Sequence, residues 1–90
     1  MLLIEVATKL DMTPERLKHD SLRTYLERKL RITESELFSL ARRYGVRTVL
    51  ELDQAIQAGR FHEPEAFEDY FRFDHLENEQ SSLRELLAQL

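Results

Sequence analysis

Acidic side chains and histidines concentrate in the C-terminal half of the chain, where their chemistry would be metal binding or acid–base catalysis. The residues are Glu63, Glu65, Glu68, Asp69, Asp74, Glu77 and Glu79, with His62 and His75 beside them. A di-metal site in a helical bundle uses Glu-x-x-His pairs, because residues three positions apart face the same way. The residue three positions before each of the three histidines is Arg16, Gly59 or Arg72. We therefore expect a solvated acidic face that binds no metal.

Nucleophilic catalysis and phosphate binding lack the residues that they need. The chain has no cysteine and no Gly-x-Ser-x-Gly turn, so neither a thiolate nor an activated serine is expected. Its two glycines, Gly45 and Gly59, are isolated and cannot form a glycine-rich loop around a phosphate. Carboxylates one helical turn apart are too common to identify a general acid and base. We expect a protein that is not an enzyme and needs no cofactor.

Aromatic side chains interleave with the acids and are the best candidates for binding. They are Phe61, Phe67, Tyr70, Phe71 and Phe73. These five rings cannot all face one packed stripe, so some aromatic surface is expected to be exposed. Exposed rings among acids suit a basic, apolar groove on another protein. The predicted partner-binding residues are Phe67, Glu68, Tyr70, Phe71, Asp74 and His75.

A competing interpretation places these rings inside the fold. Phe67 and Phe71 would then fill the space under a short connecting helix, and the pattern favours this role for both of them. It favours an exposed position for Tyr70 instead. Phe73 belongs to a separate stripe of leucines.

Charge is distributed unequally between the two halves. Residues 1–47 carry ten basic and seven acidic side chains, whereas residues 48–90 carry three and ten, giving balances of +3 and −7. Such asymmetry is typical of chains with two different partners, although helical surfaces also vary without functional reason. The basic residues are interleaved with acids, so a nucleic-acid interface is a weaker prediction. Its candidate residues are Arg23, Lys29, Arg42 and Arg43.

Helix start signals predict a long first helix. Thr13-Pro14 begins it, because threonine caps free amide groups and proline suits the first helical position. No glycine or proline follows until Gly45, which ends the helix. A continuous helix is favoured over residues 14–44. The alternative is a break near residue 32, since Thr33-x-x-Glu36 has the form of a capping box.

Two further helices complete the predicted architecture. Thr48-x-x-Glu51 is a capping box that opens a short helix, and Gly59 closes it. Pro64 then starts a last helix that can continue to Leu90. The short helix is expected to turn the backbone between the two long ones.

Apolar residues form one stripe on each long helix. On the first helix they are Leu22, Leu26, Leu30, Leu37, Leu40 and Tyr44. On the last they are Phe73, Leu76, Leu83, Leu87 and Leu90, with polar Gln80 in the same register. Steps of three and four residues are coiled-coil spacing. The sequence predicts an all-α fold in which two long antiparallel helices form a hairpin around the short helix.

Residues 2–10 fit two periodicities. Leu3, Val6, Ala7 and Leu10 recur at helical spacing, whereas Leu2, Ile4, Val6, Thr8 and Leu10 alternate at strand spacing. A short helix is favoured, and a strand is the alternative.

Length and composition limit the class of protein. The 90 residues are expected to form a single domain, 1–90, with a marginal core, so oligomerisation or a tight partner is expected. No apolar run approaches the ~18 residues that span a membrane. The first residues, MLLIEV, lack a preceding basic region and are interrupted by Glu5, which argues against a signal peptide. A cytoplasmic protein with no membrane association is expected.

Four segments resemble small prokaryotic antitoxin-like helical proteins. They are PERLKHDSLRTYLERKLR, ELFSLARRYGV, ELDQAIQAG and EAFEDYFRFDHLE, within residues 13–79. The first is similar to the helix Pro-Glu-x-Leu…Ser-Leu-x-x-Tyr-Leu-Glu of many small antitoxins. The resemblance implies a protein that binds and neutralises a toxin, often an RNA-cleaving enzyme. The DNA-binding half usual in such proteins has no clear counterpart here.

These observations predict a non-enzymatic, antitoxin-like module that masks its partner through residues 63–77. Two other functions stay open. One is a DNA-binding regulator that acts through residues 1–47. The other is a structural adaptor that self-associates through residues 73–90.

Overall fold

The computed structural model describes residues 1–90 as four α-helices with no strand. They are α1 (Leu2–Lys9), α2 (Pro14–Tyr44), α3 (Val49–Gln57) and α4 (Pro64–Ala88). The predicted all-α fold is confirmed. None of the four helices combines the length and the apolar character needed to cross a membrane.

The N-terminal segment is helical, as favoured over a strand. Ala7 of α1 is buried and Leu3, one turn earlier, is half-buried, so helical spacing directs both toward α2. The chain then turns at Asp11, which adopts a left-handed conformation with φ 57°. The backbone amide of Met12 donates to the carbonyl of Ala7 at 2.9 Å and closes this turn.

Helix α2 has the predicted ends and no break. Thr13 Oγ1 accepts a hydrogen bond from the Arg16 amide at 3.0 Å, and Pro14 occupies the first helical position. Gly45 ends the helix at φ 65°, where a side chain would be strained. The predicted continuity through residue 32 is confirmed. Thr33 starts no new helix; it is only 2% exposed.

Helix α3 is capped by carboxylates from two directions. Thr48 Oγ1 accepts from the Glu51 amide at 3.2 Å, as the capping box predicts. Glu51 Oε2 in turn accepts a hydrogen bond from the amide of Arg47, one residue before the cap. Glu77 Oε2 of α4 accepts from the Val49 amide at 2.9 Å. The free amides at this helix start are therefore partly satisfied by α4.

The two long helices are antiparallel and share one seam. Tyr44 bonds Asp69 at one end, and His19 Nε2 lies 3.2 Å from the carbonyl oxygen of Leu90 at the other. The predicted hairpin is confirmed. Most of the stripe residues are buried or half-buried, but Leu22 is exposed.

The core is concentrated where α3 packs against the hairpin, a region that we call the elbow. Its buried members are Leu40, Tyr44, Val46, Leu52, Ala66, Phe73 and Leu76. The rings of Tyr44 and Phe61 meet edge to face with centroids 5.0 Å apart. This end of the molecule is therefore the best-packed part of the fold.

A polar cluster at the elbow joins the end of α2 to the start of α4. Tyr44 Oη donates to Asp69 Oδ2 at 2.5 Å, and Arg43 Nη1 lies 2.8 Å from the same oxygen. Burial, with the hydrogen bond to Asp69, raises the pKa of Tyr44 to about 12.

A second polar cluster crosses the middle of the seam. Glu34 Oε2 accepts hydrogen bonds from Gln80 at 2.8 Å and from Arg84 at 2.7 Å. These two bonds, that of Gln80 first, hold the pKa of Glu34 below its ordinary value. Gln80 is the polar position of the α4 stripe, so its amide has a defined partner.

The substitution Glu34→Gln is expected to make the free energy of unfolding less dependent on pH under acidic conditions. The pKa of Glu34 is lowered in the folded chain. The stability that Glu34 contributes is therefore fully present above pH 4.5, the ordinary pKa of this group, and is lost as the pH falls below that value. Urea midpoints measured between pH about 6 and about 3 should fall more steeply for the wild type than for Glu34→Gln. The matched control Glu85→Gln changes an exposed carboxylate without an ion pair and should follow the wild type. Parallel curves for all three chains would contradict this assignment.

Replacing Tyr44→Phe is expected to remove a late-titrating phenol. Its raised pKa means that Tyr44 contributes stability below pH 10 that is lost as the pH rises toward about 12. Phenolate absorbance should show one of the three tyrosines ionising near pH 12, and Tyr44→Phe should lack that step. At neutral pH the variant should be destabilised by roughly 1 kcal/mol. The control Tyr25→Phe alters an exposed ring and should still show the ionisation near pH 12. If Tyr25→Phe lacked that ionisation, the assignment to Tyr44 would be refuted.

Candidate protein-docking surface

The outward side of α4 carries exposed rings among acids. We call Phe67, Glu68, Phe71, Asp74 and His75 the acidic aromatic face. All five are exposed, and the two phenylalanines keep 48% and 68% of their surface. The interpretation that these two rings fill the elbow is therefore wrong. They lie on the side of α4 opposite the buried seam residues, where no other helix covers them.

Tyr70 differs from the prediction, which favoured an exposed ring. It is half-buried and packs against the elbow core. The reason is its position three residues before Phe73, which puts both rings on the packed side of α4. Tyr70 still contacts the acidic aromatic face, because its ring meets that of Phe71 edge to face at 5.3 Å. Tyr70 therefore holds the ring of Phe71 in place and exposes little surface to a partner.

The carboxylates of the C-terminal half fall into two groups. Asp69, Glu77 and Glu79 bond partners within the fold, the last through Lys29 at 3.5 Å. Glu68 and Asp74 form no ion pair and point to solvent. Their negative charge is therefore available to a partner.

Nearby groups do little to neutralise this charge. Arg72 turns away to pair with Glu36 of α2. His75 Nε2 lies 4.0 Å from Glu79 and remains mostly exposed. No three His, Asp or Glu side chains lie close enough together to hold a metal ion. The arrangement suits the recognition of a basic surface.

The predicted nucleic-acid residues do not form one surface. Arg43 pairs with Asp69, which raises the pKa of its guanidinium, and Lys29 pairs with Glu79. Arg23 lies 3.8 Å from Glu27 on the same helix. Arg42 lies over the ring of Phe38, 5.8 Å from its centroid. Residues 23 and 43 are about 30 Å apart along α2, so the four residues do not form one basic surface. DNA binding stays a prediction.

Sequence reasoning missed a groove beside the elbow. Its cavity volume is about 470 Å³, and its lining includes Phe38, Arg42, Val46 and Arg47. Phe38 is 63% exposed although it directly follows Leu37 of the packed stripe. The signal was present, because Phe38 and Arg42 are one turn apart just before the helix-ending Gly45. The elbow thus carries a second apolar surface, edged by arginines.

Comparison with known proteins gives a family but no function. Searches of curated proteins and of solved structures found no match. A family model, that of the uncharacterized protein MJ0235 family, matches residues 1–90. Its description does not mention antitoxins, so the antitoxin-like resemblance stays a prediction. Because the model matches the whole chain, the chain belongs to the uncharacterized protein MJ0235 family.

Proposed function

We propose that the chain is a non-enzymatic, antitoxin-like module that docks its acidic aromatic face onto a basic, apolar groove of a partner protein. The observation that carries the proposal is the outward pairing of Phe67 and Phe71 with two unpaired carboxylates, those of Glu68 and Asp74. The resemblance to antitoxins makes an RNA-cleaving toxin the favoured partner.

The rings would supply affinity. Phe67 and Phe71 are one helical turn apart, so a groove on the partner can receive both side by side. Burying each ring contributes on the order of 1 kcal/mol or more to association. Large aromatic side chains left in water on one helix face are typical of binding anchors.

The carboxylates would supply specificity. An enzyme that cleaves RNA holds the phosphate backbone with lysines and arginines. Glu68 and Asp74 would form ion pairs with those same lysines and arginines and so compete with RNA. Complementary charge also speeds the encounter of the two proteins. Masking of the active site follows from this competition, with no chemistry by the module.

Rigidity supports the same function. The acidic aromatic face lies on a helix that is fixed at the elbow by Asp69 and Glu77. Tyr70 packs against Phe71 and limits the freedom of that ring. A surface that is ordered before binding loses less entropy on association.

The double variant Phe71→Ala/Asp74→Arg tests this surface. Both residues are exposed, so circular dichroism should show unchanged helix content. Affinity for the partner should fall at least about a hundredfold, since one anchor is lost and one charge is reversed. The product of the neighbouring gene, or a protein captured from the native host, serves as the partner. Binding is measured by calorimetry and masking by the partner's cleavage of RNA.

A matched control is Phe38→Ala/Glu85→Arg. It removes a ring of similar exposure and reverses an equally exposed acid without an ion pair, both outside the acidic aromatic face. This chain should bind and inhibit as the wild type does. Equal affinity of the wild type and Phe71→Ala/Asp74→Arg would exclude the face. A partner that binds but cleaves RNA at its full rate would exclude masking.

A further inference from the structure

The chain exposes more surface than its mass requires. Its accessible area is 6859 Å², against about 5,500 Å² for a folded monomer of 10.7 kDa. Its radius of gyration is 18.9 Å, against about 12 Å for a compact domain of this length. The excess of roughly 1,300 Å² is larger than the ~800 Å² that each partner buries in a standard interface.

Exposed apolar side chains are concentrated at the end of the hairpin away from the elbow, which we call the distal end. Seven of the thirteen exposed large apolar side chains lie within residues 1–25. Ala7 is the only buried residue among the first 32. This end therefore has exposed apolar surface and almost no core of its own.

Helix α1 has the clearest exposed apolar surface at the distal end. Leu3 and Ala7 face α2, but Leu2, Val6 and Leu10 form a second stripe at four-residue spacing that is exposed to solvent. A helix of eight residues is not stable alone in water and depends on packing. Packing on one side only leaves this second stripe uncovered.

Charge identifies a suitable occupant for this surface. Residues 1–33 and 79–90 carry eight basic and seven acidic side chains, a balance of +1, whereas residues 34–78 carry five and ten, a balance of −5. Two copies that meet through their distal ends bring nearly neutral, mixed surfaces together. Their negative elbows stay apart. A lipid surface is a poorer match, because α1 has one lysine and one glutamate and no basic face.

We propose that two copies of the chain pair through their distal ends and bury the Leu2–Val6–Leu10 stripe of each copy. The interface is two-fold symmetric, since the same patch serves both copies. It differs from self-association through residues 73–90, because Phe73, Leu76 and Leu83 are already buried in the seam of one chain. The acidic aromatic faces remain free near the two ends of the dimer.

The first test measures mass in solution. Sedimentation equilibrium of the full chain at several concentrations should give twice the monomer mass of 10.7 kDa. Leu2→Glu/Val6→Glu should give a monomer, with helix content retained because both side chains are exposed. Leu10→Glu, just beyond α1, should weaken the dimer at least about tenfold without entering the helix. The control Phe67→Glu/Phe71→Glu alters two exposed apolar side chains of the acidic aromatic face and should remain dimeric.

A second test measures the arrangement of the copies. The chain has no cysteine, so Glu5→Cys and Gln57→Cys each provide a single site for a spin label. Both positions are exposed, and Glu5 lies off the stripe. In the dimer, the labels at position 5 should be closer together than those at position 57.

Several outcomes would overturn the pairing. They are a wild-type monomer at every concentration, a dimer that survives all stripe variants, a dimer lost in the elbow control, and labels at position 57 that are the closer pair. A mass that keeps growing with concentration would also refute a closed two-fold interface. These results are independent of partner capture, which the Phe71→Ala/Asp74→Arg variant tests at the opposite end.

Discussion

The constraint behind this structure is that each long helix has a single apolar stripe and uses it on the other long helix. Only 11 of the 90 residues are buried, and seven of those form the elbow core. The fold is consequently a rod of 60 × 20 × 18 Å that is well packed at one end. The side of α4 opposite this seam stays in water, including the rings of Phe67 and Phe71.

Polar side chains give this seam a defined register. Leucines at steps of three and four would permit two helices to slide by a heptad with little loss of apolar contact. Such a slip would separate Glu34 from Gln80 and Asp69 from Tyr44. Ion pairs in water contribute little to stability, but groups that lose their partners in a seam are costly. The positions of these pairs therefore decide which part of α4 reaches the elbow.

The ends of the helices could be predicted from the sequence, because they depend on residues close by in the chain. Thr13, Gly45 and Thr48 act on their own helix ends, so their roles were visible from spacing alone. The roles of the rings were harder to assign, because one residue along a helix changes direction by about 100°. Tyr70 packs inward and Phe71, the next residue, points outward. The elbow groove was missed because its walls come from separate elements.

The bond from Glu77 to the Val49 amide has a consequence for how the chain folds. An amide at the first turn of α3 finds its acceptor only after α4 has docked, some 28 residues later in the sequence. A nine-residue helix gains little stability by itself, so α3 depends on packing against the hairpin. Docking of α4 therefore stabilises α3 directly, through the acceptor that Glu77 supplies to its first turn.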